Sequence, residues 1–146
     1  MPGCNVFNEE YQQLLVKFFD QVTVKDLEEQ AASLASNSKV GSAQRKCISF
    51  IAATGFDQDI ILEKVCIITP RLKDSLKSQE EFKTAFVAPG AEALAVALMF
   101  KECLKTEEGP GKVKIFTTKN EAFDWLGGSR QEWNLIRERI SQMCSL

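Results

Sequence analysis

The 146-residue chain contains no histidine. That absence excludes Ser-His-Asp and Cys-His catalysis, histidine-ligated metal centres and the side chain that titrates nearest neutral pH. Cysteine pairs at C-x-x-C spacing are also missing. The five cysteines, Cys4, Cys47, Cys66, Cys103 and Cys144, are scattered, which argues against zinc-binding and thioredoxin-like motifs. Neither charge dominates. Eighteen basic and 20 acidic residues leave a net charge of −2, so no nucleic-acid partner is expected, because such domains concentrate positive charge. The longest uninterrupted apolar stretch, Ala93 to Phe100, is far below the ~20 residues of a spanning helix, so no membrane insertion is expected. Met1-Pro2-Gly3-Cys4-Asn5 has neither the basic nor the apolar region of a signal peptide.

What is present is a core-forming composition, 45% hydrophobic. A chain of this length can bury about 70% of its unfolded surface without metal or disulfide staples. Cys47, Cys66 and Cys103 sit in apolar runs and read as small core hydrophobes. With no histidine to activate a thiol, reduced and inert cysteines point to a cytoplasmic protein.

Hydrophobic periodicity divides the chain into alternating elements. Val6-Phe7 and Leu14 to Phe19 read as a hairpin, the second strand nearly continuously apolar and therefore covered on both faces. Thr23-Val24-Lys25-Asp26 matches a capping box and opens a helix to about Ser36. Cys47 to Ala53 is a buried strand ending at the turn Thr54-Gly55. Gln58 to Ser78 has helical spacing, with Thr69-Pro70 read as a kink or a second helix start. A strand over Val65–Thr69 is the alternative, since its residues favour strand. Thr84 to Ala88 is a third buried strand, stopped by Pro89-Gly90. Ala91 to about Glu107 is a helix apolar almost all round. Gly109-Pro110-Gly111-Lys112 is a turn and not a phosphate loop, because it leads from helix to strand and Val113 follows the lysine. Lys112 to Thr117 alternates as a half-exposed strand. Capping boxes at Thr118–Glu121 and Ser129–Glu132 open two last helices, divided by Gly127-Gly128. The order β-β-α-β-α-β-α-β-α, plus a C-terminal helix, defines an α/β domain with a mixed sheet of about five strands. Residues 1–127 form that domain. Residues 128–146 form an amphipathic helix that belongs to the same globule or to an oligomer contact.

Several phrases along this order resemble the STAS/SpoIIAA-like superfamily, the fold of the anti-sigma-factor antagonists, and most closely its small stand-alone bacterial proteins. They are Val22 to Leu27 after the hairpin, the strand Cys47 to Ala53, Lys83 to Gly90 before an apolar helix, and Val113 to Phe116 followed by Glu121-Ala122-Phe123-Asp124-Trp125-Leu126. These are packing and capping phrases, so they speak to fold more than to function. The resemblance implies a cytoplasmic, non-enzymatic regulatory or protein-interaction module without a cofactor. In the antagonists a serine after the central strand is phosphorylated. Here Ala53-Thr54-Gly55-Phe56-Asp57 lacks the Asp-Ser-Ser-Gly type of motif, and Thr54 is the only hydroxyl.

Ligands of open α/β sheets sit beyond the carboxyl ends of strands, and helix N-termini attract anions. Thr54, Gly55, Asp57, Pro89 and Gly90 are therefore the ligand or phospho-site candidates. No metal site is expected. Asp57, Asp59 and Glu63 could act as acid and base, but acidic residues at a helix start chiefly complement its dipole, which leaves an enzyme the weakest reading. The stripe Trp133, Ile136, Ile140 and Met143 packs on its own domain or meets a protein partner or a second copy. The alternative function is a binder of a small apolar or anionic ligand held between sheet and helices, in a cavity of roughly 300–1,000 Å³.

Overall fold

Leu14, Val16 and Phe18 alternate with Leu15, Lys17 and Phe19 along one strand, and each set finds its own helical layer. That strand is the second of a five-stranded sheet in the computed structural model, which describes residues 3–37, 43–76, 83–104 and 112–144. The strands are β1 (Gly3–Asn8), β2 (Gln13–Val22), β3 (Arg45–Phe56), β4 (Lys83–Val87) and β5 (Lys112–Phe116), side by side in chain order. β1 and β2 form an antiparallel hairpin, and β2 through β5 run parallel. The helices are α1 (Val24–Ala35), α2 (Leu62–Leu76), α3 (Ala91–Leu104), α4 (Lys119–Leu126) and α5 (Arg130–Cys144).

This is the mixed α/β sheet expected from the sequence. α1, α2 and α3 contribute to one hydrophobic cluster with Leu14, Val16, Phe18, Ile48, Phe50 and Phe86. α4 and α5 cover the opposite face with Val6, Leu15, Cys47, Ala85 and Val87. The first layer is rich in aromatic contacts: Phe50 meets Phe18 at 5.5 Å, Phe56 at 5.3 Å and Phe86 at 6.3 Å, and Phe86 meets Phe100 at 5.7 Å.

Two of the three capping boxes are reciprocal. Thr23 Oγ1 accepts from the Asp26 amide at 3.2 Å while Asp26 Oδ2 accepts from the Thr23 amide at 2.8 Å. Ser129 and Glu132 repeat the exchange at the start of α5, at 3.2 and 2.6 Å. At Thr118 the hydroxyl accepts from the Glu121 amide but donates to that residue's own carboxylate. Gly127, at φ 87°, ends α4, and its amide donates to the Phe123 carbonyl. Gly128, at φ 94°, has a backbone conformation that strains any other residue, and a Cβ there, 2.9 Å from Gln13 Nε2, would force that side chain to shift.

Four expectations need correction. Thr54 and Gly55 are not a turn: β3 continues to Phe56, because the long β2 strand runs beside it, pairing Gln21 with Gly55 and Val22 with Phe56. The strand alternative over Val65–Thr69 is overturned, and Thr69-Pro70 starts no second helix. α2 is one helix from Leu62 to Leu76, and the Thr69 hydroxyl donates to the Val65 carbonyl one turn back. Cys66 and Cys103 are not two core thiols but one disulfide, joining α2 to α3 across a Cα–Cα distance of 5.2 Å, and Cys66 is exposed. Cys4 is also disulfide-bonded, so the premise of reduced cysteines fails; Cys47 alone, among the described residues, is a free and buried thiol. The turn read at Gly109–Gly111 lies outside the described residues.

Candidate functional site

The parallel strands end at different heights, and this places a cleft. β4 leaves the sheet after Val87, which pairs with Ser49, while β2 and β3 run on together to Val22 and Phe56. Beyond the last β4 residue the edge of β3 has no strand beside it, and Ile51 is 48% exposed. α4 and α5 pass under this step without filling it. The result is a half-open cleft of about 160 Å³ on the α4–α5 face. Its floor is apolar, formed by Leu15, Val87, Phe123 and Ile140, and its rim carries Lys17, Lys119 and Arg137.

The lining side chains are held from behind. Phe123 stacks on Trp133 at 4.6 Å with the rings 6° from parallel, and the Trp133 ring N–H donates to the Gly127 carbonyl at 3.0 Å. Arg137 Nη1 donates to Asn134 Oδ1 at 3.2 Å. Ser49 Oγ accepts from the Ile51 amide at 3.3 Å. Complete burial pushes the Cys47 thiol up to about 12, so it stays protonated and inert.

On the other face the space left between sheet and helices is only about 20 Å³, lined by Val16, Phe18, Leu27, Phe86, Phe100 and their neighbours. That is about the size of a single water molecule and far too small for a ligand. The packed core under α3 therefore removes the apolar-ligand pocket expected there. The cleft on the opposite face is also below the expected 300–1,000 Å³ range.

The residues singled out from sequence lie elsewhere. Thr54 is exposed near the end of β3. Asp57 Oδ1 accepts from Gln21 Nε2 at 3.0 Å, and the Asp57 amide donates to Val22. Pro89 and Gly90 are exposed, and the Gly90 carbonyl accepts the first helical bond of α3 from Leu94. None of these five lines either cleft. Asp59 pairs with Lys64 at 3.5 Å, and the described residues hold no cluster of three potential metal ligands. Trp133, Ile136 and Ile140 are buried on the chain's own sheet, and Met143 is 54% exposed.

The cleft residues Lys17, Lys119 and Arg137 were missed by reading the sequence. One signal was available. Lys17 interrupts the apolar run Leu14–Phe19, and a lysine in a strand covered on both faces needs an opening. Nothing in the sequence joined it to Lys119 and Arg137, more than a hundred positions away. A further cation missed is Lys46 on β3, 6% exposed, whose burial lowers its pKa to about 7.

With the geometry in place, comparison with known proteins identifies the fold. No protein-family model and no curated protein matches the chain. Among solved structures it is similar to the anti-sigma factor antagonist SpoIIAA in its unphosphorylated form, with a TM-score of 0.53 and 13% identity over 87% of this chain and 99% of that one. It is likewise similar to an uncharacterised DUF3478-family protein with a SpoIIAA-like fold from Shewanella loihica PV-4. There the TM-score is 0.50 and the identity 20%, over 86% and 93% of the two chains. The chain therefore has a SpoIIAA-like fold. No described helix is long and apolar enough to cross a membrane.

Proposed function

We propose that this protein is a non-enzymatic regulatory module of the STAS type that works by binding another protein. One observation carries the reading: Ile61, Leu62 and Ile67, at and within α2, and Leu94 and Leu98, on α3, remain 42–74% exposed on helices that pack together in a SpoIIAA-like fold. Large apolar groups gathered on one side of a small domain mark a contact surface. Thr54, Gly55, Asp57, Pro89 and Gly90 form the regulatory edge of this surface, at the strand ends preceding the two helices. A phosphate on Thr54 would add about −1.5 to −2 charge near Asp57 and weaken binding there. Residues 128–146 complete the same globule, and Met143 is the part of the C-terminal stripe left for a contact with a second copy.

The test is affinity capture with the double variant Ile67→Glu/Leu98→Glu beside the unaltered chain, with light scattering for self-association. Loss of one defined partner, or of a dimer, on substitution supports the reading. A monomer whose captured proteins are the same with and without the substitutions overturns it. A cytoplasmic home would require that the disulfides of Cys4, Cys66 and Cys103 be reduced there, since cytosolic thiols are kept reduced. Thiol trapping in rapidly quenched cells reads that state directly.

A further inference from the structure

We propose that the cleft on the α4–α5 face binds a small amphipathic carboxylate, an organic acid of about eight or nine non-hydrogen atoms. This goes beyond the protein-binding role, which uses helices on the opposite face of the sheet.

The charge argument comes first. Lys17, Lys119 and Arg137 reach the cleft from β2, α4 and α5, and none of the described residues lining it is a carboxylate. In a chain of net charge −2 this is a local reversal of sign. Three half-buried cations around one opening give it a positive potential that favours an anion. Arg137 presents several N–H donors in one plane, a geometry that fits a carboxylate. Cys47 at the floor is protonated and adds no opposing negative charge.

Size and polarity then narrow the ligand. About 160 Å³ is close to the volume of a cavity that accepts benzene, and it is too small for a nucleotide. The floor of Leu15, Val87, Phe123 and Ile140 offers nothing to a bare inorganic anion but matches a short hydrocarbon or a single ring. Charge at the rim with an apolar floor selects a molecule having both ends.

Methyl-resolved NMR titration of the intact protein tests this with benzoate, hexanoate, benzyl alcohol and inorganic phosphate at millimolar concentration. The expected result is saturable shifts of the Leu15, Val87 and Ile140 methyls with the two carboxylates. Benzyl alcohol and phosphate should each bind at least tenfold more weakly. Arg137→Gln and Lys119→Gln should each reduce carboxylate affinity about ten- to hundredfold, as expected for losing a charge-assisted hydrogen bond. Unchanged methyl signals on the other face show that these variants remain folded. Ile67→Glu should leave carboxylate binding untouched, which separates this result from failure of the protein-binding role. Absence of saturable shifts, equal binding of benzyl alcohol, or equal binding of phosphate overturns the proposal.

Discussion

The two faces of this sheet are built from strands of one composition and finished in opposite ways. Under α1, α2 and α3 the aromatic side chains Phe18, Phe50, Phe86 and Phe100 follow one another in contact, and only about 20 Å³ is left unfilled. Under α4 and α5 the sheet is covered by two helices, one of them eight residues long, and a cationic cleft of about 160 Å³ remains. The first face is sealed on the inside and apolar on the outside. The second is open on the inside and polar at its rim. The lesson is that a sheet with strands of unequal length is closed most easily where the strands end together. Where β2 and β3 outrun β4, a short helix leaves space.

The contrast can be broken most forcefully at the aromatic centres. Phe50→Ala should cost about 3–5 kcal/mol, because a dry cavity opens among side chains that cannot collapse. Phe123→Ala should cost less, about 2 kcal/mol, because the space it vacates joins a cleft that water already enters. Urea unfolding midpoints of both variants check this, and equal losses would mean that the cleft is effectively closed. Next in size is the Cys66–Cys103 link, which ties α2 to α3 on the sealed face across a sequence separation of 37. The double variant Cys66→Ser/Cys103→Ser should lose about 3–4 kcal/mol, the loop-closure value for that separation.

Lys46 makes the stability of the whole sheet depend on pH. Its folded pKa, about 7, lies below the ordinary lysine value of 10.5, so between these values the unfolded chain holds the extra proton. The penalty for burying this lysine is complete below about pH 7 and is relieved as pH rises towards 10.5. Stability of the unaltered protein should therefore rise over that window relative to Lys46→Met, by on the order of a few kcal/mol. Chemical denaturation of the two proteins at matched pH values measures the difference. The smallest effects sharpen the comparison as controls. Thr23→Ala on one face and Ser129→Ala on the other should each cost about 1 kcal/mol in the same assay, because a cap is satisfied within its own turn whatever the helix covers.

The element order was legible because it rests on local chemistry. The apolar run Leu14–Phe19, the capping boxes at Thr23 and Ser129 and the breaks at Pro89-Gly90 and Gly127-Gly128 each act within a few residues. The end of β3 was misread because Gly55 signals a turn, whereas its extension depends on pairing with Gln21 on a neighbouring strand. The cysteines were misread because their apolar neighbours suggested burial, and only the packing of α2 on α3 brings Cys66 to Cys103. The candidate site was the least legible part. Turn residues drew attention to Thr54 and Pro89, while the cleft is assembled from three cations that no sequence window contains together.

By itself the sequence determined the alternation of strands and helices, the mixed α/β sheet and the absence of histidine chemistry, since these depend on residue type and short-range spacing. The tertiary structure alone decided which face is sealed, which cysteines are joined and where positive charge converges. Those outcomes depend on strand lengths relative to one another and on side chains brought together from distant parts of the chain.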